Sequence, residues 1–358
     1  MRVAVAMSGG VDSSVAAALL KRQGHEVVGV TMRFLDQDPA EAGGGRGCCG
    51  MLAVRDAARV AATLGFPHYP LDFRQDFERD IIEDFCSEYA RGRTPNPCIA
   101  CNTYIKWGEM LRYAEKLDCD YIATGHYARI IFDSGKYSLQ RSKNKDKDQS
   151  YALWGIPYST LSRTILPLGD LSKAEVRKIA GMSGFLNADR PESQEICFIP
   201  DNDYAAALKN WLTDESAAFK PGPVYNTAGE KLGEHKGFAN YTVGQRKGLG
   251  ISSRAPLYVV KICKEDNSVI VGGDEELLSK SFTVSSVNFL IDLRDISKNI
   301  AAKIRYKHRE SPATVDFFGD GMTVTFKESQ RAITPGQSAV FYSGDVVIGG
   351  GIIDKMGE

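Results

Sequence analysis

The chain has 358 residues, 43% of them hydrophobic and 25% charged, with a formal net charge of −1. That length exceeds a common single domain, so two or three domains are expected, and the balance excludes a disordered or low-complexity chain. The opening MRVAVAMSGG holds too short an apolar run for a secretory signal or a membrane span, so a soluble, cytoplasmic protein with no membrane partner is expected.

Residues 2–7 read as a buried strand. A Ser/Gly loop joins them to an Ala/Leu-rich helix from about Asp12 to Arg22, ended by Gly24. Residues 26–32 are extended, 51–64 helical up to Gly65, 68–73 extended, 77–89 helical, and 120–124 a short strand. Ser172 and Glu175 form a capping-box signature for a helix over 173–182. Such βα alternation predicts a parallel sheet with helices on both faces. After about residue 203 glycine and turn residues become frequent, and from about 281 short alternating runs dominate, with Asp320-Gly321 as a hairpin signal. The predicted organisation is an α/β domain over 1–205, a small central domain over 206–275 and a C-terminal β-barrel over 276–358.

The sharpest local signal is Ser8-Gly9-Gly10-Val11-Asp12-Ser13-Ser14, between a strand and a helix. Two glycines permit close approach of an anion to the backbone, and the helix start presents unpaired N–H groups. The serines add hydroxyl donors, and Asp12 is suited to capping the helix or holding Mg²⁺. No lysine lies in the loop, so it is not a Walker A motif. It resembles instead the SGGxDS pyrophosphate loop of the ATP pyrophosphatase superfamily, which implies ATP held by its pyrophosphate end with the α-phosphorus open to attack. Transfer of AMP to a carbonyl oxygen then converts that oxygen into a leaving group.

Eight cysteines in a cytosolic chain are thiols, metal ligands or catalytic groups rather than structural bridges. Cys98 and Cys101 form a CxxC in a proline-rich, extended loop that is expected to enter a helix near Thr103, a setting that favours thiolates. Cys197 lies far downstream. Cys48-Cys49 reads as a loop pair, Cys86, Cys119 and Cys263 as buried small residues, and Trp107, Trp154 and Trp211 as packing residues. The basic runs at 141–147 and 303–309 read, alone, as solvated surface.

The segments GRTPNPCIACN (92–102), ATGHY (123–127), KDQSY (147–151), ICFI (196–199), NYTVGQRKGLGI (240–251) and TPGQSAVFY (334–342), together with the Ser/Gly loop, resemble the tRNA-specific 2-thiouridylase family of the PP-loop ATP pyrophosphatase superfamily. The resemblance runs along nearly the whole chain. It implies an adenine nucleotide alpha-hydrolase-like (PP-loop) N-terminal domain. It also implies ATP-dependent adenylation of the C2 oxygen of a tRNA wobble uridine, then sulfur transfer from a cysteine persulfide, giving 2-thiouridine, AMP and pyrophosphate. ATP, with Mg²⁺, is placed on Ala6, Met7, Ser8, Gly9, Gly10, Val11, Asp12 and Ser13, with Met32 and Gly125 near the nucleotide.

By the same resemblance, Cys197 carries the persulfide received from a sulfur-relay protein. Cys101 is the nucleophile that cleaves it, and the two finish as a disulfide that a reductant reopens. Asn96, Pro97 and Cys98 match the target-base segment. His126, Lys147, Asp148, Gln149, Arg305, Tyr306 and Gln337 match tRNA-contacting positions, and a monomer is expected. Many family members have Asp where this chain has Cys98. Cys98, Cys101 and Cys197 could therefore hold a 4Fe–4S cluster that delivers sulfide, or Zn²⁺, and the persulfide and cluster routes both stay open. Two rival classes are a lysidine- or amide-forming adenylating tRNA enzyme and a metal-stabilised RNA-binding protein without catalysis.

Overall fold

The computed structural model describes residues 1–35, 50–188, 196–199, 203–212, 217–292, 300–319 and 321–357. Cys48, Cys49 and Asp320 lie outside the described residues. Two compact units divide the chain. The first comprises Met1–Ile81, Cys98–Asn202 and Asp345–Val347, and the second Ile82–Pro97, Asp203–Gly344 and Ile348–Glu358.

In the first unit, chain order runs β1 (Arg2–Ala6), helix α1 (Val11–Arg22), β2 (Glu26–Arg33), α2 (Met51–Leu64), β3 (His68–Asp72), β4 (Tyr121–Ala123), β5 (Ala128–Asp133), β6 (Lys136–Arg141) and β7 (Thr164–Ile165). Five strands form a parallel sheet in the order β3-β2-β1-β4-β7. β1 is flanked by β2 on one side and β4 on the other, so the strand order reverses there. In open α/β sheets the crevice beyond the carboxyl ends of strands at such a point is where ligands bind. The apolar runs of β1 and β2 are buried on both faces, as a helix-covered parallel sheet requires. Ala16, Ala17 and Ala18 are fully buried, and their small side chains let α1 pack closely on that sheet.

Local signals mapped well here. α2 ends at Gly65, whose φ of 68° is the left-handed cap conformation glycine adopts without strain. The Ser172–Glu175 capping box is present at the start of the helix Lys173–Met182. β5 and β6 make a hairpin that the sequence reading passed over. Ser134 and Gly135 both have positive φ, the requirement of a two-residue turn matched to strand twist.

The second unit contains a four-stranded sheet and a barrel. β8 (Gly222–Asn226), β9 (Lys231–His235), β10 (Tyr258–Cys263) and β11 (Ser268–Gly272) pair in the order β10-β11-β8-β9. The barrel strands are β12 (Leu278–Phe289), β13 (Ile300–Lys303), β14 (Ser311–Phe318), β15 (Gly321–Arg331), β16 (Ser338–Ser343) and β17 (Val346–Met356). Their order is β12-β15-β14-β13-β16-β17, and β12 also pairs with β17, through Phe282↔Met356 and Val284↔Ile353 among others. That last pairing closes the barrel and removes both sheet edges. Phe282, Val324, Ile333, Ala339 and Ile353 fill it with no exposed surface.

Two packing expectations need correction. Trp107 and Trp154 are buried, but Trp211 is 37% exposed, because it ends a two-turn helix whose burial is carried by Ala207 and Leu208. Cys86 and Cys119 are buried, whereas Cys263 is half-buried near the end of β10. Among the described residues, no helix is long and apolar enough to cross a membrane.

Candidate active site

The loop after β1 is shaped by steric necessity. Gly9 has φ +68°, and a Cβ there would lie 2.7 Å from the carbonyl oxygen and 2.9 Å from the Cα of Ala53 in α2. A Cβ on Gly125, in the loop after β4, would lie 2.7 Å from the backbone nitrogen of Ser13. The loop after β1 thus meets the backbone of α2, and the loop after β4 meets the backbone of the first turn of α1. No side chain caps α1 at Gly10, which leaves its first-turn amides to an anion. Two of the expected hydroxyl donors are turned inward instead. Ser13 and Ser14 donate to the carbonyl of Gly10 at 3.1 and 2.9 Å, and the backbone N–H of Ser8 donates to Ser13 Oγ. Ala6, Met7 and Val11 are buried beneath the loop, and Met32 is buried in β2.

Asp12 does not cap the helix, and its carboxylate is engaged within the protein. Lys173 Nζ lies 2.8 and 2.9 Å from its two carboxylate oxygens, and the buried Tyr127 donates its hydroxyl at 2.7 Å. Lys173 is the first residue of a helix, the positive end of a dipole, where a lysine is unfavourable unless an anion faces it. That misplaced charge was the signal available in the sequence, and it went unread. Asn187 was missed as well. It is buried and donates to the Gly9 carbonyl at 2.8 Å and to Ser14 Oγ at 3.0 Å, tying down the loop.

The ATGHY and KDQSY segments are joined to each other. Gln149 Oε1 accepts from the Tyr127 N–H at 2.9 Å, and the Gln149 N–H donates to the Tyr127 carbonyl at 2.8 Å. Asp148 points inward, accepting from the N–H groups of Ser142 and Ser150 and the Ser150 hydroxyl. His126 hydrogen-bonds Thr124 through Nδ1 at 2.7 Å and lies beside Trp107. Burial, helped by Lys106, holds its imidazole well below 6.5. His68, His235 and His308 are also lowered by burial; they hydrogen-bond Thr31, the Asn267 carbonyl and Gln330. The folded chain therefore takes up these protons less readily than the unfolded chain. Stability carried by the neutral imidazoles is present above 6.5 and lost as pH falls toward the folded values. We expect the urea midpoint to drop between about pH 7.5 and about pH 5.5; an unchanged midpoint would contradict this.

The CxxC helix starts earlier than expected. It begins at Pro97, continues as a π-helix over Cys101–Glu109 and ends with Met110–Lys116. Proline lacks the N–H that a first helical turn leaves unpaired, so Pro97 opens the helix rather than delaying it. Cys98 is exposed and Cys101 half-buried, three residues apart and hence on one face. Buried Asn102 anchors this face, donating to the Ala152 carbonyl and accepting from Lys106, both at 2.8 Å. Cys197 is half-buried in a turn pinned by buried Phe198 and Ile199. Phe198 packs edge-on against Phe77, which stacks on Phe34. Among the described residues, no group of three or more His, Cys, Asp and Glu is placed to hold a metal ion. No such group among the described residues supports the 4Fe–4S or Zn²⁺ arrangement on Cys98, Cys101 and Cys197.

Known proteins bear on this arrangement. A family model described as the tRNA methyl transferase HUP domain matches residues 1–201. A tRNA methyl transferase PRC-barrel domain matches 209–273, and an Aminomethyltransferase beta-barrel domain matches 279–353. The tRNA-specific 2-thiouridylase MnmA of Carboxydothermus hydrogenoformans is 50% identical over 99% of this chain and 98% of its own length. The protein of that name from Halothermothrix orenii is 49% identical over 99% of both chains. The chain belongs to the tRNA-specific 2-thiouridylase family.

Within this 2-thiouridylase-family chain, the positions matched to tRNA contacts fall into two groups. Tyr306 is 44% exposed, Lys303 lies over its ring at 5.6 Å, and Lys307 and Arg309 beside it are exposed. Lys147 and Arg305 are half-buried. Asp148, Gln149 and Gln337, by contrast, make hydrogen bonds within the protein, Gln337 to the carbonyls of Thr94 and Pro95. In the NYTVGQRKGLGI segment, Arg246 and Lys247 are exposed beside the buried Leu249.

Proposed function

We propose that this chain thiolates the wobble uridine of tRNA at C2, using ATP. The observation that carries the reading is the glycine cradle at the β1 switch point, in the same unit as Cys101 and Cys197, in a member of the 2-thiouridylase family. ATP lies with its terminal phosphates at residues 8–13. Mg²⁺ would enter with the nucleotide and neutralise phosphate charge, while Asp12, beside the loop, is paired with Lys173. The uridine C2 oxygen attacks the α-phosphorus and pyrophosphate leaves. Cys197 carries sulfane sulfur from a donor protein. The Cys101 thiolate attacks the persulfide at Cys197, the terminal sulfur bonds to C2, and AMP departs with the original oxygen. The two cysteines end as a disulfide, and a reductant restores them.

Three segments, 1–205, 206–275 and 276–358, divide the work. The first performs the chemistry, while exposed Arg246, Lys247, Lys307 and Arg309 suit RNA phosphates and Tyr306 suits stacking or sugar contact. A base stacked in an anticodon loop must be extruded to react, so the outer segments hold the RNA during that step. The protein acts in the cytoplasm as a monomer. The deciding experiment supplies ATP, tRNA and a persulfide donor to the purified chain. We expect AMP and pyrophosphate in step with 2-thiouridine in digested tRNA. ADP as product, or a methylated nucleoside in its place, as two family-model descriptions would suggest, would overturn the proposal.

A further inference from the structure

The peptide plane between Gly9 and Gly10 has two ends, and only one of them suits an anion. In a trans peptide the C=O and the N–H point in opposite directions, and no described peptide bond is cis. With a glycine on each side, side-chain sterics do little to oppose a rotation of that plane. Its orientation has to be fixed from outside the loop.

Asn187 supplies the fixing contact. It is 7% exposed and lies in the same compact unit as the loop. Its Nδ2 donates to the Gly9 carbonyl at 2.8 Å and to Ser14 Oγ at 3.0 Å. The roles are settled by chemistry: a carbonyl only accepts, and the single Ser14 hydroxyl proton goes to the Gly10 carbonyl at 2.9 Å. The Gly9 oxygen is thereby drawn to the buried side. The Gly10 N–H is turned the other way, at the uncapped start of α1.

Asn187 Oδ1 is buried and accepts no hydrogen bond among the described residues. An amide oxygen buried without a donor is unfavourable, and an apolar side chain of similar size would pack there without that cost. What the amide alone provides is its pair of N–H donors, and both go to the phosphate loop.

We propose that Asn187 is a positioning residue for the polyphosphate of ATP: by holding the Gly9 carbonyl inward, it keeps an N–H rather than a carbonyl oxygen facing the terminal phosphates. This rests on the nucleotide reading of the loop above. Without the clamp the glycine peptide turns over readily, and a carbonyl oxygen repels the phosphates that the N–H attracts. Asn187→Asp keeps the size and loses both donors, and its carboxylate repels the Gly9 carbonyl. Once protonated, the same side chain donates to that carbonyl again. Asn187→Ala removes the clamp at any pH.

Isothermal titration of the wild-type chain and both variants, with a non-hydrolysable ATP analogue, inorganic pyrophosphate and AMP, separates positioning from general damage. At about pH 8.5 we expect the Kd of the analogue and of pyrophosphate to rise about 10- to 100-fold in both variants, the scale of stranding a buried acceptor and reversing one donor. The Kd of AMP, which lacks the terminal phosphates, should stay within about twofold. Relative to wild type at each pH, Asn187→Asp should regain about fivefold or more of its pyrophosphate affinity at about pH 6, because burial raises a carboxyl's pKa into that range. Asn187→Ala should regain none. Pyrophosphate binding as tight as wild type in the variants would overturn the proposal, and so would equal weakening of AMP or an Asn187→Asp affinity that ignores pH. If Asn187→Ala does not fold, the pH comparison within Asn187→Asp decides. A wild-type chain that binds neither the analogue nor pyrophosphate would sink the nucleotide reading, and the role of Asn187 with it; normal wild-type binding beside unaltered variants would sink that role alone.

Discussion

Cys197→Ser is expected to abolish 2-thiouridine formation, by on the order of 10³-fold or more, while tRNA-dependent pyrophosphate release continues. A serine oxygen cannot carry sulfane sulfur, so nothing replaces the lost carrier. The cradle proposed for ATP is built by other residues: Gly9, Gly10, the Asp12–Lys173 pair and Asn187. The turn bearing Cys197 is anchored by buried Phe198 and Ile199, and serine is close to cysteine in size, so the exchange should leave the fold intact. Cys101→Ser should give the same split for a different reason. The persulfide then loads but is not cleaved, and mass analysis of the Cys197 peptide should find the extra sulfur retained. Full thiolation by Cys197→Ser would sink the persulfide route, and loss of pyrophosphate release in that variant would move Cys197 into the adenylation step.

Gly9→Ala is expected to raise the KM for ATP at least tenfold and to lower the thermal midpoint by several degrees. Two costs combine. The left-handed conformation at φ +68° costs a residue with a Cβ about 1–2 kcal/mol. The new methyl group would also press on the backbone of Ala53, which cannot rotate away as a side chain end could, at about 1–3 kcal/mol for overpacking. Either the loop or α2 must shift, and both shape the proposed phosphate cradle. Isothermal titration with a non-hydrolysable ATP analogue and a melting curve give the two numbers. Wild-type nucleotide affinity in Gly9→Ala would show that the loop does not cradle phosphate.

Much of the site was legible because its signals are short-range. The Gly9-Gly10 turn between a strand and a helix, the Gly65 stop and the Ser172–Glu175 cap each depend on dihedral preferences and hydrogen bonds within a few residues. The start of the CxxC helix was misplaced although its cue was local. Pro95 and Pro97 were both read as extending the chain, but only Pro97 occupies the first helical turn, where a missing N–H costs nothing. The partners of Asp12, Tyr127 and Lys173, were not legible because they are 115 and 161 residues away.

The sequence by itself determined the parallel α/β character of the first part, the family to which the chain belongs, the Ser/Gly turn between β1 and α1 and the barrel-like alternation at the C-terminal end. Tertiary structure alone decided that Lys173 neutralises Asp12, that Gln149 grips Tyr127, that Gln337 holds Thr94 from 243 residues away, and that β12 and β17 close the barrel. Propensity and periodicity act over one or two turns of chain. Which distant donor meets which acceptor depends on how whole elements pack, and many pairings of similar residues look alike until that packing is known.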